Sequence, residues 1–144
     1  MSFRPGTQKA MIVDILHYHK YNYGKPMSLR ELSTEMFLRT HQYLIKDSSD
    51  VRKTSNLDYN IEGSMTPAEL REYAYRGGHS ITGEKEGYTE IAAGITGTGP
   101  LGQLVKQGIV KKVGRGLYEL DEPEFQRREG LAKLYEHYAV DRNP

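Results

Sequence analysis

The glycines between Ala93 and Leu117 limit what this chain can build more than any other feature. From Tyr88 to Asp121 it reads YTEIAAGITGTGPLGQLVKQGIVKKVGRGLYELD. Ile91-Ala92-Ala93 opens the stretch as a short apolar turn, and Gly94, Gly97, Gly99 and Gly102 come after it. Each glycine costs roughly 1 kcal/mol inside a helix, so the three glycines after Gly94 are more than a helix here favours. Leu101, Leu104 and Val105 are spaced for one helical face, and Gly108 stands where a C-cap glycine belongs. Two strand-like runs, 109–113 and 117–120, flank Gly114-Arg115-Gly116, which predicts a β-hairpin. The expected order is short helix, tight turn, helix over 98–107, and a basic hairpin over 109–120.

Composition sets the outer bounds. At 144 residues one compact domain over 1–144 is the default, and the charged fraction of 27% suits a soluble globular chain. The absence of cysteine excludes disulfides and thiolate metal sites. No apolar run approaches the ~20 residues of a membrane span, and the N-terminus lacks a signal-peptide core. The expectation is an intracellular protein, cytoplasmic or nucleoid-associated, with no membrane partner. Net charge is only +1, but it is unevenly spread. Residues 1–30 carry five basic side chains and one acid, whereas 31–90 carry seven and eleven. Residues 91–118 hold Lys106, Lys111, Lys112 and Arg115 with no acid at all, and 119–144 hold four basic and seven acidic. Half of the basic excess therefore falls on the second predicted helix and the hairpin, where phosphate contacts would be made.

The order of elements resembles the helix-turn-helix and wing of winged-helix DNA-binding proteins. Ala93 and Gly97, four apart, match the turn. Leu101-Gly102-Gln103-Leu104-Val105 and Gly108-Ile109-Val110 match the second helix and the chain leaving it. Gly114-Arg115-Gly116-Leu117-Tyr118 looks like a wing tip and its return strand. The aliphatic expected ten residues after Ala93 falls on Gln103, with Leu104 one place later. The resemblance implies an α+β, mostly helical fold: a winged helix-turn-helix with a C-terminal β-hairpin wing and additional helices. It implies double-stranded DNA as partner, transcriptional regulation as role, no enzyme activity and no cofactor. The DNA-binding residues it points to are Thr96, Thr98, Gly99, Gln103, Lys106, Gln107, Lys111, Lys112 and Arg115. Gln103 suits an adenine edge, Lys106 a phosphate or guanine, and Arg115 a groove or backbone. Lys111 and Lys112 are adjacent on a strand, so at most one faces a duplex squarely.

Taken in order, Thr7 caps a helix to about Lys20 with Met11, Ile12, Ile15, Leu16 and Tyr18 inward. Lys25-Pro26-Met27 is an extended link, and Ser28 to Glu31 is a capping box starting a second helix through Leu32, Met36 and Phe37, with Tyr43 and Leu44 near its end. Together they make an N-terminal helical pair over 7–45. Residues 46–65 read as a long polar loop, Thr66-Pro67-Ala68-Glu69 as a third helix start, and 79–87 as another loop. The winged-helix core then has two parses: 66–121 alone, which needs no unusual insertion, or 7–121 with an insertion of roughly fifty residues. Asp121-Glu122-Pro123-Glu124 starts a last helix over 122–140, whose Leu131, Leu134, Tyr135 and Tyr138 share a face suited to packing on its own domain or to a homodimer.

Competing motifs are weaker. Gly97 to Gly102 fits G-x-G-x-x-G, but a dinucleotide fingerprint needs a βαβ context that a hairpin in the next position does not supply. The five histidines lie apart or on different helix faces, and Glu84-Lys85-Glu86 lacks a partner aspartate for nuclease chemistry. Tyr21 and Tyr23 fit either a hinge contact or stacking on single-stranded bases. Two alternatives to duplex binding stand: a winged-helix protein–protein interaction module, and a small nuclease or nucleotide-binding enzyme.

Overall fold

The computed structural model describes residues 7–46 and 65–126. The chain divides into two compact units, one made of 1–27 and 95–144, the other of 28–94.

The first unit is built on α1, Gln8–Tyr23. Thr7 caps it by accepting from the Ala10 N–H, and Gly24 ends it in the left-handed conformation at φ 65°, donating to the Lys20 carbonyl. The helix thus ends three residues beyond the expected end at Lys20. Ile12, Val13, Ile15, Leu16 and His19 are buried. Tyr18, expected inside, points to solvent. Positions 12, 15, 16 and 19 trace one face at i, i+3, i+4 and i+7, so the inward place belongs to His19. Tyr21 and Tyr23 are exposed as well, and the Tyr23 ring lies with its centroid 4.9 Å from that of His19.

α1 packs against β5, Leu117–Leu120, and against α5, Pro100–Lys106. β5 pairs antiparallel with β4, Val110–Gly114, matching Val110 to Leu120, Lys111 to Glu119 and Lys112 to Tyr118. The register slips between Lys112 and Gly114, so Val113 is bulged out and Arg115-Gly116 alone make the turn. The extended link supplies a third strand, β1, Met27–Ser28, and the sheet order is β1-β5-β4. Met27, Ile95, Leu101, Leu104, Ile109, Val110, Tyr118 and Leu120 complete the buried set of this unit.

The second unit starts with α2, Leu29–Thr40, behind the capping box: the Ser28 hydroxyl accepts from the Glu31 N–H while the Glu31 carboxylate accepts from the Ser28 N–H. The helix stops before Tyr43 and Leu44, which fall in a 3-10 turn, Gln42–Leu44. α3, Pro67–Arg76, has the same reciprocal cap between Thr66 and Glu69. There the Thr66 N–H and hydroxyl hold the Glu69 carboxyl below its ordinary range. α2 packs on α3 around Phe37, Leu38, Leu44, Leu70 and Ala74. Main-chain bonds between Leu44, Lys46 and Met65 bring together the two ends of the 47–64 segment, and the polar loop expected there lies outside the described residues.

The loop expected over 79–87 is a small hairpin. β2, Gly78–His79, pairs with β3, Lys85–Glu86, and α4, Tyr88–Ile95, comes next. The Thr89 hydroxyl fastens it, accepting from the N–H groups of Gly78 and Glu86 at 3.2 and 3.1 Å and facing their carbonyls. The last helix is described only over 122–126, so the face expected to make a dimer contact lies outside the described residues. The fold is α+β, with helices dominant and small antiparallel sheets.

Candidate nucleic-acid interface

The expected helix over 98–107 is shorter, because Gly99 is its N-cap and Pro100 its first residue. Each glycine of the 97–102 pattern has a separate task. Gly97 sits at φ 65°, a left-handed turn that side chains resist. Gly102 faces that turn so closely that a Cβ there would lie 1.9 Å from the Gly97 carbonyl oxygen. The pattern comes after α4, with no strand leading into it, and its glycines serve turn and seat geometry.

Seating α5 on that turn decides which side chains face out. Leu101 and Leu104 are buried, so Gln103, Lys106 and Gln107 share the solvent face at i, i+3 and i+4. The one-place offset at Gln103 is thus real: Leu104 is the core residue and Gln103 the surface one. Lys106 lies in the last turn, where the helix dipole favours a cation. Gln103 donates its amide to the Thr98 carbonyl at 2.8 Å, so a bidentate contact to adenine requires that bond to open. Thr98 is exposed in the turn, and Thr96 is half-buried just after α4.

β4 is an edge strand whose two lysines alternate as the pleat demands. Lys111 lies on the outer side, across from Glu119, and its ammonium is 3.6 Å from the Asp121 carboxylate. Lys112 lies on the side of Tyr118 and remains exposed. Arg115 is exposed at the turn between Gly114 and Gly116. Lys106, Lys112 and Arg115 make no ion pair among the described residues. All nine expected contact residues lie in the first unit, with α5 packed on β4.

Asp121 is the residue that sequence reasoning left out of the site. It caps the last helix, accepting from the Glu124 N–H at 3.1 Å, and it offsets one of the four cations. Its neighbour Glu122 meets the His17 Nδ1 at 2.8 Å, and Lys20 donates to the Leu120 carbonyl. The hairpin register carried the signal for Glu119 opposite Lys111; the reach of Lys111 to Asp121 is a side-chain choice with no local mark.

No helix among the described residues is long and apolar enough to cross a membrane, and no group of three His, Asp or Glu among them is placed to hold a metal ion. No family model, curated protein or solved structure matches the chain.

Proposed function

We propose that this chain is a non-enzymatic, winged-helix protein that binds double-stranded DNA, acting inside the cell as a transcriptional regulator. The observation that carries the reading is the acid-free stretch 91–118, whose four cations are all exposed on a helix face and a glycine-flanked hairpin of one unit. Phosphate contacts from such cations supply much of the affinity in protein–DNA interfaces. In this reading α5 lies in the major groove with Gln103, Lys106 and Gln107 outward, and Lys112 and Arg115 grip the backbone or minor groove. Thr96, Thr98 and Gly99 border the helix start, and Lys111, with the Asp121 carboxylate 3.6 Å from its ammonium, contributes less.

The strand order favours the parse spanning 7–121. The extended link at Met27 pairs into the same sheet as the hairpin, which ties α1 to the wing; in that parse the insertion lies between the second helix and Tyr88. A homodimer through the last helix belongs to the same proposal.

Titrating isotope-labelled protein with a random-sequence duplex tests the location. The expected result is amide shift changes over 96–107 and 111–116, with 67–86 left unmoved. Changes confined to the second unit would reject the assignment. A second reading, a winged-helix module that binds protein, draws on the exposed Val113 and Leu117 beside the turn. It expects no duplex affinity at low salt.

A further inference from the structure

The outward face of α5 offers a base fewer contacts than its residue types imply. Gln103 is exposed there, and its amide is already committed at one end: the Thr98 carbonyl oxygen lies 2.8 Å from Nε2. A carbonyl only accepts, so chemistry fixes which end of the amide points to it. Oε1 is left with no donor among the described residues. The turn that supplies the carbonyl is itself held in place. Gly97 lies in the left-handed region at φ 65°, and the Gly99 N–H donates to the Thr96 carbonyl at 3.0 Å. Gly102, the residue before Gln103, packs on Gly97 too closely for any Cβ. Gln103 thus presents a bare acceptor on a supported helix.

Base edges in the major groove answer such a group unequally. Guanine shows N7 and O6 and thymine shows O4, all acceptors, which leave a bare oxygen unmatched. Adenine shows its N7 acceptor beside its N6 amino group, and a glutamine meets both only by using both ends of its amide. Cytosine shows its N4 amino group, which an acceptor alone satisfies. Recruiting Nε2 for adenine gives up the Thr98 bond, a loss of roughly two- to tenfold in affinity. We infer, resting on the duplex reading above, that Gln103 determines specificity through Oε1, which accepts from the N4 amino group of a cytosine facing the middle of α5. The preferred duplex therefore carries a G·C pair at that position, with cytosine on the strand that Gln103 meets.

The test selects duplexes from a randomised pool with the full chain, sequences the bound and unbound fractions, and repeats the selection with two variants. The unaltered chain is expected to favour cytosine at one position by roughly three- to tenfold over adenine, the scale of one net hydrogen bond. Gln103→Ala should flatten the preference at that position and leave the other selected positions as they were. Gln103→Glu should keep cytosine first, since carboxylate oxygens also accept from N4, while its charge weakens binding to every duplex alike. Four duplexes differing only at the selected pair, titrated by fluorescence anisotropy, put the fold-change on an affinity scale. Adenine in place of cytosine would overturn the assignment while leaving duplex binding intact. So would equal binding of all sequences, or a cytosine preference that survives Gln103→Ala. Failure to bind any duplex at low salt would overturn the assignment together with the duplex reading, so the two failures are told apart.

Discussion

Reversing charge at Lys106 and Arg115 together is expected to weaken duplex binding on the order of a hundredfold at low salt. It should also lower the slope of log affinity against log salt by about two, one for each phosphate contact removed. Both side chains are exposed, and neither holds an ion pair among the described residues, so the cost to the fold is confined to the loss of a cation from the last turn of α5, about 0.3–1 kcal/mol. Lys111→Gln provides the contrast. Its ammonium already lies 3.6 Å from the Asp121 carboxylate, so its loss should move both quantities much less. Fluorescence anisotropy at two salt concentrations reads affinity and slope in one experiment. An unchanged affinity and slope in the double variant would reject these contacts.

The second large effect comes from two glycines that look alike in sequence. Gly94 and Gly102 both sit within helices without positive φ. A Cβ at Gly94 meets nothing within 4 Å, so Gly94→Ala should raise stability by roughly 0.5–1 kcal/mol through helix propensity. At Gly102 the same methyl lands 1.9 Å from the Gly97 carbonyl oxygen, a backbone atom that cannot turn aside. Gly102→Ala must lift α5 from its turn and should cost about 1–3 kcal/mol, the usual range for overpacking. In thermal denaturation the two variants should move Tm in opposite directions, Gly102→Ala downward by on the order of 5 °C. Displacing α5 also moves the Gln103, Lys106 and Gln107 face, so duplex affinity should fall with stability. Equal and small effects at the two positions would show that α5 is not seated on the Gly97 turn.

That pair also marks the limit of what the sequence showed. Local chemistry was legible: the caps at Ser28 and Thr66, the proline at Pro67 and the left-handed glycine at Gly108 all act within four residues of themselves. The hairpin was legible too, because alternation and a glycine turn are short-range signals. Its turn came out one residue shorter than expected, since the bulge at Val113 lets Gly114 pair with Leu117. Gly102 had no such legibility, for its role depends on an approach to Gly97 across a turn. The β2–β3 hairpin was read as a loop because the Thr89 hydroxyl that fastens Gly78 lies eleven residues away. β1 read as a link because a two-residue strand exists only through its partner β5. Tyr18 was placed inside by residue type when position already favoured His19. Within the candidate interface, charge and periodicity singled out the cations and the outward face of α5. The Gln103–Thr98 bond and the Lys111–Asp121 pair, which reduce what two of those side chains can offer, left no trace in the pattern.

The central claim is that the acid-free helix and turn of the first unit meet a polyanionic duplex. Titrating the unaltered chain with a random-sequence duplex at about 50 and 200 mM salt tests this most directly. The account predicts measurable binding at the lower concentration and a steep loss at the higher, with a slope set by roughly three to four neutralised phosphates. No binding at the lower salt, or an affinity indifferent to salt, would contradict it.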